Sequence, residues 1–396
     1  MSKFSDPDAF YALNHTRENL IRAARQDAEE IRLALLFNKS ESTNESRAVL
    51  VFLPCNIAKF DKEVKSLMLS ISFMRTYQSV TMKTDLIVGT PRECFAYPEF
   101  LGCTEGIRTD FSDIERCLLL EHVPLQNRSD TTHPLLAYSN YIDSILVLSE
   151  FPYMSNYSVI LRTDLDTFLT PGFGKWTLPH ELSLVAGHGG YGSENANKHL
   201  SWIMKQRLGL SDEGLKGIGS TWIGDSRVMV ATGKLTVSAM IWLHTQEFNK
   251  YEMGPAETDG WPYWHWPVLL LYAGHIAVNQ IPMERLIITY PPGIKPNAAE
   301  IIHLDHYSSD NETMTDSVLH LHCWHTDAPY YAKHKFQTGA YKDLDLAPFI
   351  AMDSPMSYAT TIAISSDRLS SEEFSRIVHS PSSIKNESWI RPNNII

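Results

Sequence analysis

Tyr157-Ser-Val-Ile-Leu-Arg-Thr-Asp164-Leu-Asp166-Thr-Phe-Leu-Thr-Pro171 reads as a buried strand, Val159 to Leu161, running into two carboxylates and a Pro-Gly stop. Acidic groups at the carboxyl end of an apolar strand lie where open α/β sheets hold their ligands. In extended chain, residues i and i+2 point the same way, so Asp164 and Asp166 can meet one cation from one side. Oxygen donors suit Mg²⁺ or Mn²⁺, which commonly share their remaining positions with phosphates. The chemistry indicated is a metal-diphosphate site, and the plain alternative is a solvated pair of aspartates at a strand end.

Working outward, Ala48-Val-Leu-Val-Phe-Leu53 is a short apolar run ended by Pro54-Cys55. Lys62 to Tyr77 follows with helical spacing, and Thr84 to Gly89 forms a second short run, a strand-helix-strand unit whose strands pair in parallel. The loop after its first strand, with Pro54 and Cys55, is a natural seat for a nucleotide base and ribose. No G-x-G-x-x-G follows, which disfavours a dinucleotide site. Cys117 to Val123 reads as a further strand and Ser139 to Ser149 as a helix leading into the opening stretch. Arg162, at the end of that strand, falls on the nucleotide side.

Beyond the carboxylates, Leu182 to Gly192 is a strand with a glycine-rich loop, Asn197 to Leu208 a helix, Gly217 to Asp225 a strand edge of small residues, and Lys234 to Lys250 a helix. Glu257-Thr-Asp259-Gly-Trp261-Pro-Tyr-Trp264-His265-Trp266 sets aromatic rings beside two carboxylates, either as core or as a platform for a sugar ring. A later strand carries His320, His322 and His325, followed by Lys333 and Lys335.

These elements suggest an α/β protein: an N-terminal helical arm and linker over 1–46, a catalytic domain over 47–345, and a polar C-terminal wrap or tail over 346–396. That domain divides into halves of 47–180 and 181–345, which the family resemblance given below implies are a nucleotide-sugar half and an acceptor half. Hydrophobic content of 43% and charged content of 20% fit a globular chain of 396 residues with a sizeable core. A formal net charge of -12 argues against nucleic acid or an anionic membrane as partner. Five cysteines show no zinc-knuckle spacing, and their odd number leaves at least one outside any intramolecular pair. No run suits a membrane span and Met1 to Phe10 is no secretory signal, so a soluble cytoplasmic chain is one expectation. Asn-x-Ser/Thr sequons at Asn14, Asn38, Asn44, Asn127, Asn156, Asn311 and Asn386 support the other, a Golgi-lumen enzyme separated from its anchor; the plain alternative is chance in a Ser/Thr-rich chain.

The order of the strand-helix-strand start, the strand ending in Asp164-Leu-Asp166 and the late histidine strand resembles the GT-A family of nucleotide-sugar glycosyltransferases, with some likeness to retaining glycogenin-type members. The resemblance covers about Ala48 to Phe336. It implies a Rossmann-like mixed sheet with helices on both faces and a Mn²⁺ or Mg²⁺ ion held by Asp164, Asp166 and either His322 or His325. It also implies a lysine, Lys333 or Lys335, on the donor phosphates. By the same likeness Ser220, Thr221 and Trp222 face the acceptor with Trp261 and His265, while Glu257 and Asp259 act as base or orient the acceptor. The donor would be a nucleotide-diphosphate sugar, UDP-linked by family habit, and the acceptor a carbohydrate or glycoprotein hydroxyl. The family's H-x-x-G-x-x-K-P-W run is replaced by His322-Cys-Trp-His-Thr-Asp-Ala-Pro, which leaves the histidine ligand and the phosphate lysine open.

A haloacid-dehalogenase-type phosphatase is the main competitor, with Asp164 as nucleophile and Ile223-Gly-Asp225-Ser as its later acidic motif. Phe168 in place of Thr or Val, Val228 where a second late aspartate belongs, and the preceding strand-helix-strand unit weigh against it. A non-catalytic sugar- or partner-binding protein is a further alternative. A zinc hydrolase built on the histidines lacks any H-E-x-x-H.

Overall fold

A computed structural model describes residues 16–37, 45–55, 57–108, 110–111, 115–129, 132–189, 194–248, 268–289, 304, 306–307, 311–323 and 333–380. Its elements in chain order are α1 (Arg17–Leu36), β1 (Glu45–Phe52), α2 (Ala58–Arg75), β2 (Met82–Thr90), α3 (Ala96–Phe100), β3 (Thr104–Glu105), β4 (Cys117–Glu121), α4 (Asp143–Glu150), β5 (Val159–Arg162), β6 (Thr167–Leu169) and α5 (Pro171–Lys175). They continue with β7 (Leu184–His188), α6 (Glu194–Trp202), β8 (Ile218–Asp225), α7 (Ser226–Trp242), α8 (Leu269–Val278), β9 (Leu286–Thr289), β10 (His306–Tyr307), β11 (His320–His322), α9 (Lys333–Gln337), α10 (Pro355–Arg368) and α11 (Ser371–His379). The chain is mixed α/β. It forms two interleaved compact units: Met1–Ser42, His122–Arg162 and Leu178–Ile288 make one, and Thr43–Glu121, Thr163–Thr177 and Thr289–Ile396 the other. Each unit returns to the chain several times, unlike the consecutive halves expected from sequence.

In the second unit the strands run in the order β3-β4-β2-β1, every pair parallel, with Glu45 opposite Met82 and Leu86 opposite Cys117. The expected strand-helix-strand unit is β1, α2 and β2. Both long strands are buried nearly throughout, with apolar runs from Ala48 to Phe52 and Leu86 to Val88, as parallel strands covered on both faces require. Helix α2 carries Ser66, Ser70 and Ser72 on buried positions, each hydroxyl donating to a carbonyl of its own preceding turn. These small side chains admit a close neighbour: Ser66 Oγ lies 2.9 Å from Ser366 Oγ of α10.

Helix α10 corrects the expected C-terminal wrap. Its face from Tyr358 to Ser366 is buried, and it starts at a capping box between Ser354 and Ser357. The segment looked polar because Ser and Thr dominate it. The hydroxyls of Ser357, Thr361 and Ser366 bond to backbone carbonyls, Thr361 Oγ1 to that of Phe349 at 2.9 Å.

A small sheet in the same unit, β10-β11-β6, carries the carboxylate stretch onward. β6 pairs antiparallel with β11, placing His322 opposite Thr167 and His320 opposite Leu169. The Leu169 amide donates to Ser70 Oγ at 3.1 Å, and its carbonyl accepts from the Tyr358 hydroxyl at 2.5 Å. Gly172 is obligatory at the next turn, since a Cβ there would run into the carbonyls of Asp316 and Val318. Arg47, 1% exposed, donates to the carbonyls of Phe173 and Trp176 at 2.8 and 2.9 Å and to Thr84 and Gln78, fixing α5 against β1 and β2.

In the first unit the strands run β5-β8-β7-β9, with β8 antiparallel to both β5 and β7. Helix α7 begins at Ser226, well before the expected Lys234. Asp225 caps it, accepting from the amides of Arg227 and Val228. Helix α1 packs on α7 through Leu20, Ala24 and Ile31, with Ser238 donating to Asp27 and Lys234 paired with Glu30 at 2.7 Å.

Candidate metal centre

The two carboxylates sit in a turn closed by its own hydroxyls. Thr167 Oγ1 donates to the Asp164 carbonyl at 2.8 Å, and Thr163 Oγ1 lies 3.3 Å from Thr167 Oγ1. The turn is anchored on β1, where the Thr163 amide donates to the Leu50 carbonyl at 3.1 Å. On its other side the Cys323 amide donates to the Asp166 carbonyl at 2.9 Å, extending the β6–β11 ladder by one step. The period of two along β11 turns His320 and His322 to one face. His320 is fully buried, with Nε2 2.8 Å from Thr163 Oγ1. His322 reaches Asp166, its Nε2 3.5 Å from Oδ2.

One donor atom each from Asp164, Asp166 and His322 lie within 4.8 Å of one another. An octahedral ion holds its ligands at about 2.1 Å, so opposite donors are at most about 4.2 Å apart. Donors grouped this closely can draw in around one ion. Two carboxylates and an imidazole suit Mn²⁺ or Mg²⁺ better than a thiolate-seeking metal. Asp164 is half-buried, and Asp166 is 6% exposed.

Lys333, on the short helix α9, completes the cluster. Its Nζ lies 2.7 Å from Asp166 Oδ2 and 3.7 Å from Glu63 Oε1, and Gln337 donates to Glu63 at 2.5 Å. Burial works against the charged form of Asp166, yet His322 and then Lys333, by charge and hydrogen bond, hold its carboxyl far below the usual carboxylate range. Burial likewise opposes the Lys333 ammonium, but Asp166 and Glu63 keep it charged above the usual lysine range. Glu63 goes the other way: burial first and the Asp166 charge second push it up to about 7, against Lys333 and Gln337. Asp164, Asp166 and Glu63 outnumber Lys333, so the site is rich in negative charge, which a divalent ion would offset.

The model of the family described as "Domain of unknown function (DUF7164)" matches residues 41–391. The chain belongs to this family. No curated protein matches it. Within this DUF7164 chain the matched span includes every residue of the Asp164, Asp166, His322, Lys333 and Glu63 cluster.

Other expected site residues fall elsewhere. Arg162 is fully buried, its guanidinium on Ser144 Oγ and the Ser220 carbonyl, so it braces β5 against β8 and α4 and has no surface to offer a cofactor. Trp222 is core: Nε1 donates to the Gly219 carbonyl at 2.8 Å and its ring fills the space a Cβ at Gly274 would take. Thr221 is fully buried and Ser220 half-buried, its carbonyl held by Arg162. Pro54 is buried beside Leu53, which joins β1 to β2 through Gly89 and Thr90. Cys55 is tied to Cys94 in a disulfide. Lys335 is half-buried on α9, and the lysine that meets Asp166 is Lys333. Glu257, Asp259, Trp261, His265 and His325 lie outside the described residues. Sequence reading missed Glu63. The available signal was an acid on the stripe of α2 that also carries Leu67, Ser70 and Met74, all buried.

Proposed function

We propose that the chain is a metal-dependent glycosyltransferase that moves a sugar from a nucleotide-diphosphate sugar to a carbohydrate or glycoprotein hydroxyl. The observation that carries this reading is the convergence of His322 on Asp164 and Asp166, with Lys333 on the same carboxylate. Asp164, Asp166 and His322 would hold Mn²⁺ or Mg²⁺, which supplies Lewis-acid stabilisation of a diphosphate leaving group. Lys333 would add a point charge to that diphosphate, and its contact with Glu63, which Gln337 also bonds, supports this role. Asp166 stays ionised at any working pH and so is a constant anchor.

The test is nucleotide release by the purified protein from a panel of nucleotide sugars, with Mn²⁺ or with chelator, beside Asp164→Asn and Asp166→Asn. The expected result is release from at least one donor that requires metal and is lost in both variants. Release that is indifferent to metal, or that survives both substitutions, sinks the reading, as does its absence from every donor.

A further inference from the structure

Two features outside the metal cluster point to the same chemistry. Four of the five cysteines are paired: Cys55 with Cys94 and Cys103 with Cys117, their Cα atoms 5.6 and 4.4 Å apart, and the fifth, Cys323, is buried. Both bridges lie in the unit holding β1, β2 and β4; one joins the segments that follow β1 and β2, the other fastens the start of β4 to the residue before β3. Structural disulfides persist in oxidising compartments and are rare where thiols are kept reduced.

The second feature is independent of the first. The sequons Asn127-Arg-Ser129, Asn156-Tyr-Ser158 and Asn311-Glu-Thr313 fall on described residues, and in all three both the asparagine and the hydroxyl residue are exposed. Asn127 and Asn156 each close a short 3₁₀ turn, and Asn311 lies outside any helix or strand. An acceptor sequon must present both side chains at the surface, and these three do.

We propose that this chain matures in an oxidising compartment, where Cys55–Cys94 and Cys103–Cys117 close and Asn127, Asn156 and Asn311 carry N-linked glycans. For each bridge, two thiols lose two protons and two electrons to a protein disulfide, which becomes a dithiol. For each glycan, Asn Nδ2 forms a bond to the anomeric carbon of a diphosphate-lipid-linked oligosaccharide. The bond from that carbon to the diphosphate oxygen breaks, the lipid diphosphate leaves, and an amide proton is released.

The experiment is peptide mapping of the full chain purified from the cells that make it. Thiols are blocked without reduction, and the protein is treated with an amidase that removes N-linked glycans in heavy-oxygen water. Expected are deamidation with heavy-oxygen uptake at 127, 156 and 311, and block-resistant pairs 55–94 and 103–117. Tagged chains with Ser129→Ala, Ser158→Ala and Thr313→Ala, all surface changes, should each lose one glycan-sized step in mass. Unmodified asparagines at all three positions, or blocked thiols at both pairs, overturn the proposal.

Discussion

Asp166 shows how one residue can serve two tasks. Its carbonyl extends the β6–β11 ladder, while its carboxylate collects His322 and Lys333. Asp164→Asn and Asp166→Asn should each weaken Mn²⁺ binding at least tenfold, read by isothermal titration. Only Asp166→Asn should also cost stability, roughly 1–3 kcal/mol, because it leaves a half-buried ammonium short of its partner. Equal stability of the two variants in urea would argue against this division. A second residue, Asp27, sets a pH dependence. Burial pushes its carboxyl up to about 6 despite the Ser238 hydrogen bond, against about 3.9 in an unfolded chain. The folded form thus holds an extra proton between these values, and the stability it confers is complete below about pH 4 and lost as pH rises through 6. Asp27→Asn should therefore stabilise the protein near pH 7, by up to about 3 kcal/mol, and make no difference near pH 4. Thermal melts at the two pH values check the sign.

At the scale of elements, the candidate metal cluster depends on how β6 and α5 are held. Gly172→Ala drives a Cβ into the carbonyls of Asp316 and Val318, just ahead of the strand that carries His322. It should cost about 1–3 kcal/mol and weaken Mn²⁺ binding together, although residue 172 touches no ligand. Loss of stability with unchanged metal affinity would show that β11 does not transmit the shift. The Cys55–Cys94 bridge closes a loop with a sequence separation of 39 residues around α2. Cys94→Ser should lower stability by about 2–4 kcal/mol, seen as an earlier urea midpoint. The elements themselves were largely legible in sequence. β1, β2 and β5 were found because continuous apolar runs between turn signals mark buried parallel or central strands. α10 was missed because Ser, Thr and Ala make up most of its buried residues and dilute the hydrophobic signal of Tyr358, Ile362 and Ile364.

For the whole molecule, a ligand that binds only the folded state stabilises it by mass action. Mn²⁺ at about a hundred times its dissociation constant should add about 2.7 kcal/mol and raise the melting temperature by roughly 3 °C, lost on chelation and absent from Asp164→Asn. No shift in scanning calorimetry would deny the cluster a metal. Among the described residues no helix is long and apolar enough to cross a membrane.

By itself the sequence determined the mixed α/β class, the strand-helix-strand start and the two carboxylates at a strand end, because period and turn chemistry are local properties of the chain. It also placed His322 and Lys333 among the candidates. Only the tertiary structure decided between Lys333 and Lys335, brought Glu63 to the cluster, turned Arg162 and Trp222 into core and paired the cysteines. Those outcomes rest on strand register and helix packing between segments distant in sequence. The antiparallel pairing of β6 with β11 sets His322 beside Asp166, and no local pattern encodes that pairing.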